Sequence, residues 1–115
     1  MTDTLPTPGS SSAPVARQPR RHLGIVCRRG TTGLGPDLAV GIVDVTEDRL
    51  KVRLTAPVPV GDELEADLTP PGNGKVMRLR GVVAACRPSR DGKSSVAKVR
   101  LRHRLTFRQL AELTM

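Results

Sequence analysis

Between Leu38 and Val45 the chain is apolar apart from Gly41 and Asp44, a run short enough for a buried strand. From Leu50 the pattern changes to strict alternation, Leu50, Val52 and Leu54 against Lys51 and Arg53. That period of two predicts a strand with one face on a core and the other in water. An acidic turn containing Asp44, Thr46 and Asp48 joins the two runs, where short polar side chains can bond local backbone. The rest of the chain continues in the same vein. A strand is predicted from His22 to Arg28, followed by a glycine-rich loop from Arg29 to Asp37. Pro57 and Pro59 make Thr55 to Gly61 an extended connection, because proline lacks the donor a central strand needs. Glu63, Glu65 and Asp67 alternate with Leu64, Ala66 and Leu68, predicting a strand with an acidic, solvated outer face. After turn residues Pro70 to Gly74, a strand is expected from Lys75 to about Cys86, and after Arg90 to Lys93 another from Ser95 to Leu105. Thr106 can cap a short helix reaching Leu113, with Phe107, Leu110 and Ala111 or Leu113 as its packed stripe. About six antiparallel strands followed by one helix predict a mainly β chain: a small six-stranded barrel plugged by its C-terminal helix.

Composition changes this picture at the N-terminus. Residues 1–16 are mostly Thr, Ser, Pro, Gly and Ala and read as a disordered leader, leaving 17–113 as one domain. The two are joined by the basic stretch Arg17-Gln18-Pro19-Arg20-Arg21-His22. A formal net charge of +8 suits anionic partners (nucleic acid, nucleotide phosphate or an acidic membrane surface), and equally a solvated basic face that aids solubility. Lys98, Arg100, Arg102 and Arg104 form a ladder that suits either a solvated face or a phosphate-binding stripe. Phe107 is the sole aromatic, so no platform for stacking bases exists and nucleic acid is not the expected partner.

Candidate chemistry is sparse. Cys27 and Cys86 lie in strand-like runs and read as buried free thiols. With His22 and His103 they lack Cys-x-x-Cys or His-x-x-x-His spacing, so no metal site is expected. No apolar run reaches the ~18 residues of a membrane span. Arg20-Arg21 before Leu23–Cys27 is too weak an export signal, and a cytoplasmic location is expected. Gly72-Asn73-Gly74-Lys75 ends like a phosphate loop but lacks the upstream glycine and has Val76 where Ser or Thr belongs. No acid, base and nucleophile constellation emerges, and no enzymatic activity is expected.

Four landmarks together carry a family likeness. They are Gly41-Ile-Val-Asp44-Val-Thr46-Glu-Asp-Arg49-Leu, Val58-Pro-Val-Gly61-Asp62-Glu-Leu-Glu, Val82-Val-Ala, and the strand Val96–Leu101 just before the helix. Cys27-Arg-Arg-Gly-Thr-Thr-Gly-Leu-Gly-Pro-Asp-Leu-Ala-Val adds to it. In order and spacing, residues 17 to 113 resemble the PilZ domain, a small six-stranded barrel of bacterial signalling proteins, many of which bind cyclic di-GMP. The first landmark is similar to that family's Asp/Asn-x-Ser-x-x-Gly motif, and Arg17-Gln-Pro-Arg-Arg21 to its Arg-x-x-x-Arg pair.

The resemblance implies cyclic di-GMP as ligand, bound by Arg17 and Arg21 through its phosphates and by Asp44, Thr46 and Arg49 at the turn. Arginine suits phosphate because its planar fork bonds bidentately and offers a stacking face. Thr46 stands where the family has Ser and keeps the hydroxyl. Arg49 stands where the family has Gly, filling space a ring would use and giving up left-handed backbone freedom. The implied function is a signalling or adaptor module. Two alternatives stand beside it: a barrel without nucleotide that works through protein–protein contacts, and a basic RNA-associated protein.

Overall fold

The computed structural model describes residues 17–19, 23–30, 32–72 and 75–114. The expected leader 1–16 and the candidate ligand residue Arg21 lie outside the described residues. Six strands and a helix follow in order: β1 Gly24–Arg29, β2 Ala39–Val45, β3 Arg49–Leu54, β4 Glu63–Thr69, β5 Met77–Pro88, β6 Ser95–Leu101 and α1 Phe107–Thr114. They form one antiparallel sheet in the order β1-β4-β5-β6-β3-β2, nearly closed into a barrel, as the alternation predicts.

Closure happens where β1 and β2, the two ends of that order, meet. The Leu38 amide donates to the Cys27 carbonyl at 2.7 Å. Asp37 reinforces the seam by accepting the backbone amides of Cys27 and Ala39, both at 2.9 Å. Bringing the two terminal strands together at this end reduces the unpaired backbone that an open sheet would present.

Inside, alternate residues of every strand make the core. Leu50, Val52 and Leu54 of β3 meet Leu64, Ala66 and Leu68 of β4, Val83 of β5, and Ala97 and Val99 of β6, all buried. Gly81 lies where β5 presses on β6: a Cβ there would fall against the Arg100 carbonyl oxygen and within 2.6 Å of Val99 Cγ1. The helix begins with a capping box. Gln109 N donates to Thr106 Oγ1 at 3.1 Å, and Thr106 N donates to Gln109 Oε1 at 2.9 Å. α1 packs beside β2 and buries Leu110 and Leu113.

Three expectations need correction. Phe107 is 76 % exposed and belongs to no packed stripe. At about 100° per residue the centre of the Leu110–Leu113 face lies about 90° round the helix from Phe107, so its ring clears the barrel in the first turn. Glu65 is 5 % exposed and is no solvated outer residue. It is covered by Arg80 and by the loop at Gly33, whose would-be Cβ lies 3.8 Å from Glu65 Oε1. Finally, β6 stops at Leu101, four residues short of the alternation. Arg102 N still donates to the Arg80 carbonyl at 2.9 Å, and the chain then turns so that Leu105 N donates to the Glu47 carbonyl at 2.7 Å. Leu105 is thereby buried, and His103 is exposed.

Candidate functional site

The N-terminal arm and the β2–β3 turn meet. Arg17 N donates to the Val45 carbonyl at 2.9 Å, and Val45 N donates to the Arg17 carbonyl at 3.0 Å. This isolated antiparallel bridge lays the arm along the free edge of β2, one residue past Asp44. The Arg17 side chain is left exposed. Of the five candidate ligand residues, Arg17, Asp44, Thr46 and Arg49 therefore lie in one neighbourhood.

The turn itself is tightly self-bonded. Thr46 N donates to the Arg49 carbonyl at 2.9 Å, and the Thr46 hydroxyl donates to Asp48 Oδ1 at 3.0 Å. Thr46 is 8 % exposed, so its hydroxyl is committed to the turn. Half-buried Asp44 has Lys51 Nζ at 3.9 Å from Oδ2. Arg49 is exposed and lies 4.0 Å from Asp48 Oδ1. It is a strand residue paired with Arg100, so the extended backbone here needs no glycine. The neighbourhood thus offers two half-buried carboxylates, Asp44 beside Lys51 and Asp48 bonded to Thr46, and two exposed guanidinium groups, donors for an anion beside acceptors for ring N–H groups.

A second polar region lies on the outer side of β4 and β5, and the sequence reading overlooked it. An open groove of about 610 Å³ is lined by Glu63, Arg78, Arg80, Arg102 and His103. Each arginine there has a carboxylate. Arg78 Nε bonds Asp67 at 2.9 Å, Arg80 Nε bonds Glu65 at 2.9 Å, and Arg102 Nη2 bonds Glu63 at 2.9 Å. Arg29 with Asp62 and Arg104 with Glu47 extend the network. The alternation put these charges outside, but only the register of β4 on β5, with Glu65 opposite Arg80 and Asp67 opposite Arg78, pairs them.

The barrel seam has its own electrostatics. Asp37 is held below its ordinary carboxylate range, chiefly by the Cys27 amide and then by the Ala39 amide. Burial, with Asp37 adding to it, pushes the Cys27 thiol up to about 11, so it stays protonated and unreactive at neutral pH. Cys27 and Cys86 are free, the first buried and the second half-buried rather than fully buried as expected. Among the described residues, no group of three His, Cys, Asp or Glu side chains comes together. Nor is any described helix long and apolar enough to cross a membrane.

Comparison with protein-family models, with curated proteins and with solved structures returned no match.

Proposed function

We propose that this chain is a PilZ-like binding module of bacterial signalling that captures cyclic di-GMP between its arginine arm and the β2–β3 turn. The observation that carries this reading is the backbone bridge between Arg17 and Val45, which brings the arm to the turn bearing Asp44 and Arg49. Arg17 and Arg21 take the phosphates through charge-assisted bonds, and Asp44 accepts guanine N–H donors after giving up Lys51. Ligand neutralises the arm, locks it along β2 and creates a surface for a protein partner.

One observation favours a second reading, a barrel of the same kind that works through protein contacts without nucleotide. The Thr46 hydroxyl is buried against Asp48, and an exposed arginine, Arg49, stands beside Asp48 at the end of the turn.

Calorimetric titration with cyclic di-GMP separates the two. Saturable binding that is lost in Arg17→Ala/Arg21→Ala supports the arm-and-turn receptor. No heat with the wild type, together with binding restored by Arg49→Gly, supports the closed site and the second reading. Absence of heat in both proteins rejects the nucleotide.

A further inference from the structure

Three adjacent strands of the sheet, β5, β6 and β3, carry a cation grid on their outer face. Across β3 and β6 the register sets Arg49 opposite Arg100, Lys51 opposite Lys98, and Arg53 opposite Val96. Across β6 and β5 it sets Arg100 opposite Val82, Lys98 opposite Ala85, and Val96 opposite Arg87. The intervening residues Leu50, Val52, Ala97 and Val99 point into the core, so all nine grid positions share the outside. Six of the nine are Lys or Arg.

Like charges directly opposite each other on adjacent strands destabilise a sheet. Elsewhere on this barrel such repulsion is offset by carboxylates, which pair with Arg29, Arg78, Arg80, Arg102 and Arg104. On the grid only Lys51 and Arg49 have a carboxylate, and then at 3.9 and 4.0 Å. Among the described residues, Arg53, Arg87, Lys98 and Arg100 have no ion pair. The carboxylates that pair closely with arginine lie on the other flank, and four cations of the grid are left unneutralised.

We propose that this face binds the phosphate backbone of double-stranded nucleic acid without reading its sequence. Five residues along a strand and three strands across make a patch about 13 Å by about 10 Å. At about 3.4 Å of duplex axis per phosphate on each strand, that length spans about four phosphates of one strand, the number of unneutralised cations. A small hollow of about 130 Å³, floored by Ala85 and Val96 and rimmed by Lys51, Arg87 and Lys98, gives a phosphate a place to seat. The grid carries no aromatic side chain, which removes the stacking platform a single strand requires. It also lacks the large apolar anchors of a bilayer-binding surface: the exposed Leu34, Val60, Val76 and Phe107 lie on other segments, and Val40 sits at the β2 bulge. A regular lattice of cations matches a regular lattice of phosphates better than the irregular carboxylates of a protein surface. The grid shares Arg49 with the arm-and-turn site and holds Lys51, the partner of Asp44 there.

The test is fluorescence anisotropy with the full chain, using random-sequence DNA and RNA duplexes, the matching single strands, and phosphatidylserine vesicles. Both duplexes are expected to bind more tightly than their single strands, whatever the sequence. With four cations engaged, affinity should fall about a hundredfold between about 50 and 200 mM salt. Lys98→Ala/Arg100→Ala should reduce that fall to about tenfold, and Arg78→Ala on the opposite flank should leave it unchanged. The double variant relieves repulsion, so it should melt no lower than the wild type. Binding to one duplex type alone still supports the proposal and identifies the source of the phosphate. No duplex binding at the lower salt overturns it, as does a salt dependence the double variant does not alter. Binding to vesicles or single strands in preference to duplex also overturns it.

Discussion

Arg80 donates from Nε to Glu65 Oε2 at 2.9 Å, and this carboxylate on the outward side of β4 is 5 % exposed while the arginine remains half in water. Arg78 Nε adds a longer approach at 3.9 Å. A buried carboxylate that loses its main donor keeps its desolvation cost, whereas a guanidinium that loses its acceptor rehydrates. Arg80→Ala is therefore expected to cost about 2 kcal/mol, and Glu65→Gln, which keeps an acceptor at the same place, less than half of that. Urea unfolding of the two variants measures the difference, and equal losses would show that the pair is solvated.

Replacing Gly81 tests the closeness of β5 and β6. A methyl there meets the Arg100 backbone and the buried Val99 side chain, neither of which can move without opening the ladder. Gly81→Ala is expected to destabilise by about 3 kcal/mol or to abolish folding, against less than about 0.5 kcal/mol for Gly41→Ala, whose would-be Cβ meets nothing within 4 Å. Thermal melts followed by circular dichroism decide it.

Asp37 makes the barrel seam sensitive to acid. Its pKa is lower in the folded chain than in the unfolded one, so its contribution is present above the unfolded value near 4 and is lost as pH falls through the folded one. Because the side chain is largely in water, Asp37→Ala should cost only about 1 kcal/mol at pH 7. The gap between wild type and variant should close below about pH 4. Denaturant midpoints across that range are the check, and a gap independent of pH would contradict the assignment.

The thiols should differ sharply in reactivity. Cys27, buried and with its pKa pushed up to about 11, is expected to resist maleimide labelling in the folded chain at neutral pH. Half-buried Cys86 should label first. Intact-mass analysis after brief labelling should find one adduct in native protein and two after unfolding.

The helix offers a contrast between two apolar residues. Leu113 is fully buried and Phe107 is 76 % exposed. Leu113→Ala is expected to cost about 2–5 kcal/mol and Phe107→Ala less than about 0.5 kcal/mol. A large loss from Phe107→Ala would place its ring back on the core.

Local pattern alone set much of this molecule. Alternation at Leu50, Val52 and Leu54 put those side chains inside because a strand's side chains can only alternate between two faces. The same rule separated Lys51 and Arg53 from the core, and Thr106 marked the start of the helix as its cap. The turn at Asp44 to Arg49 was legible too, although its short polar side chains bond each other, Thr46 Oγ1 to Asp48 Oδ1, rather than the backbone the sequence suggested.

Pairings across strands were decided only by the tertiary structure. Glu65 reads as one of three solvated acids until β4 meets β5 and brings Arg80 beside it from 15 residues away. Phe107 reads as core until the helix phase, set by its cap and by Leu110 and Leu113, turns it outward. The charges of Lys51 and Lys98, 47 positions apart, become neighbours only through the β3–β6 register. Sequence determines which face of its own strand a residue occupies, because that is a local steric matter. Which charges then meet depends on strand order and register, which the whole core selects at once.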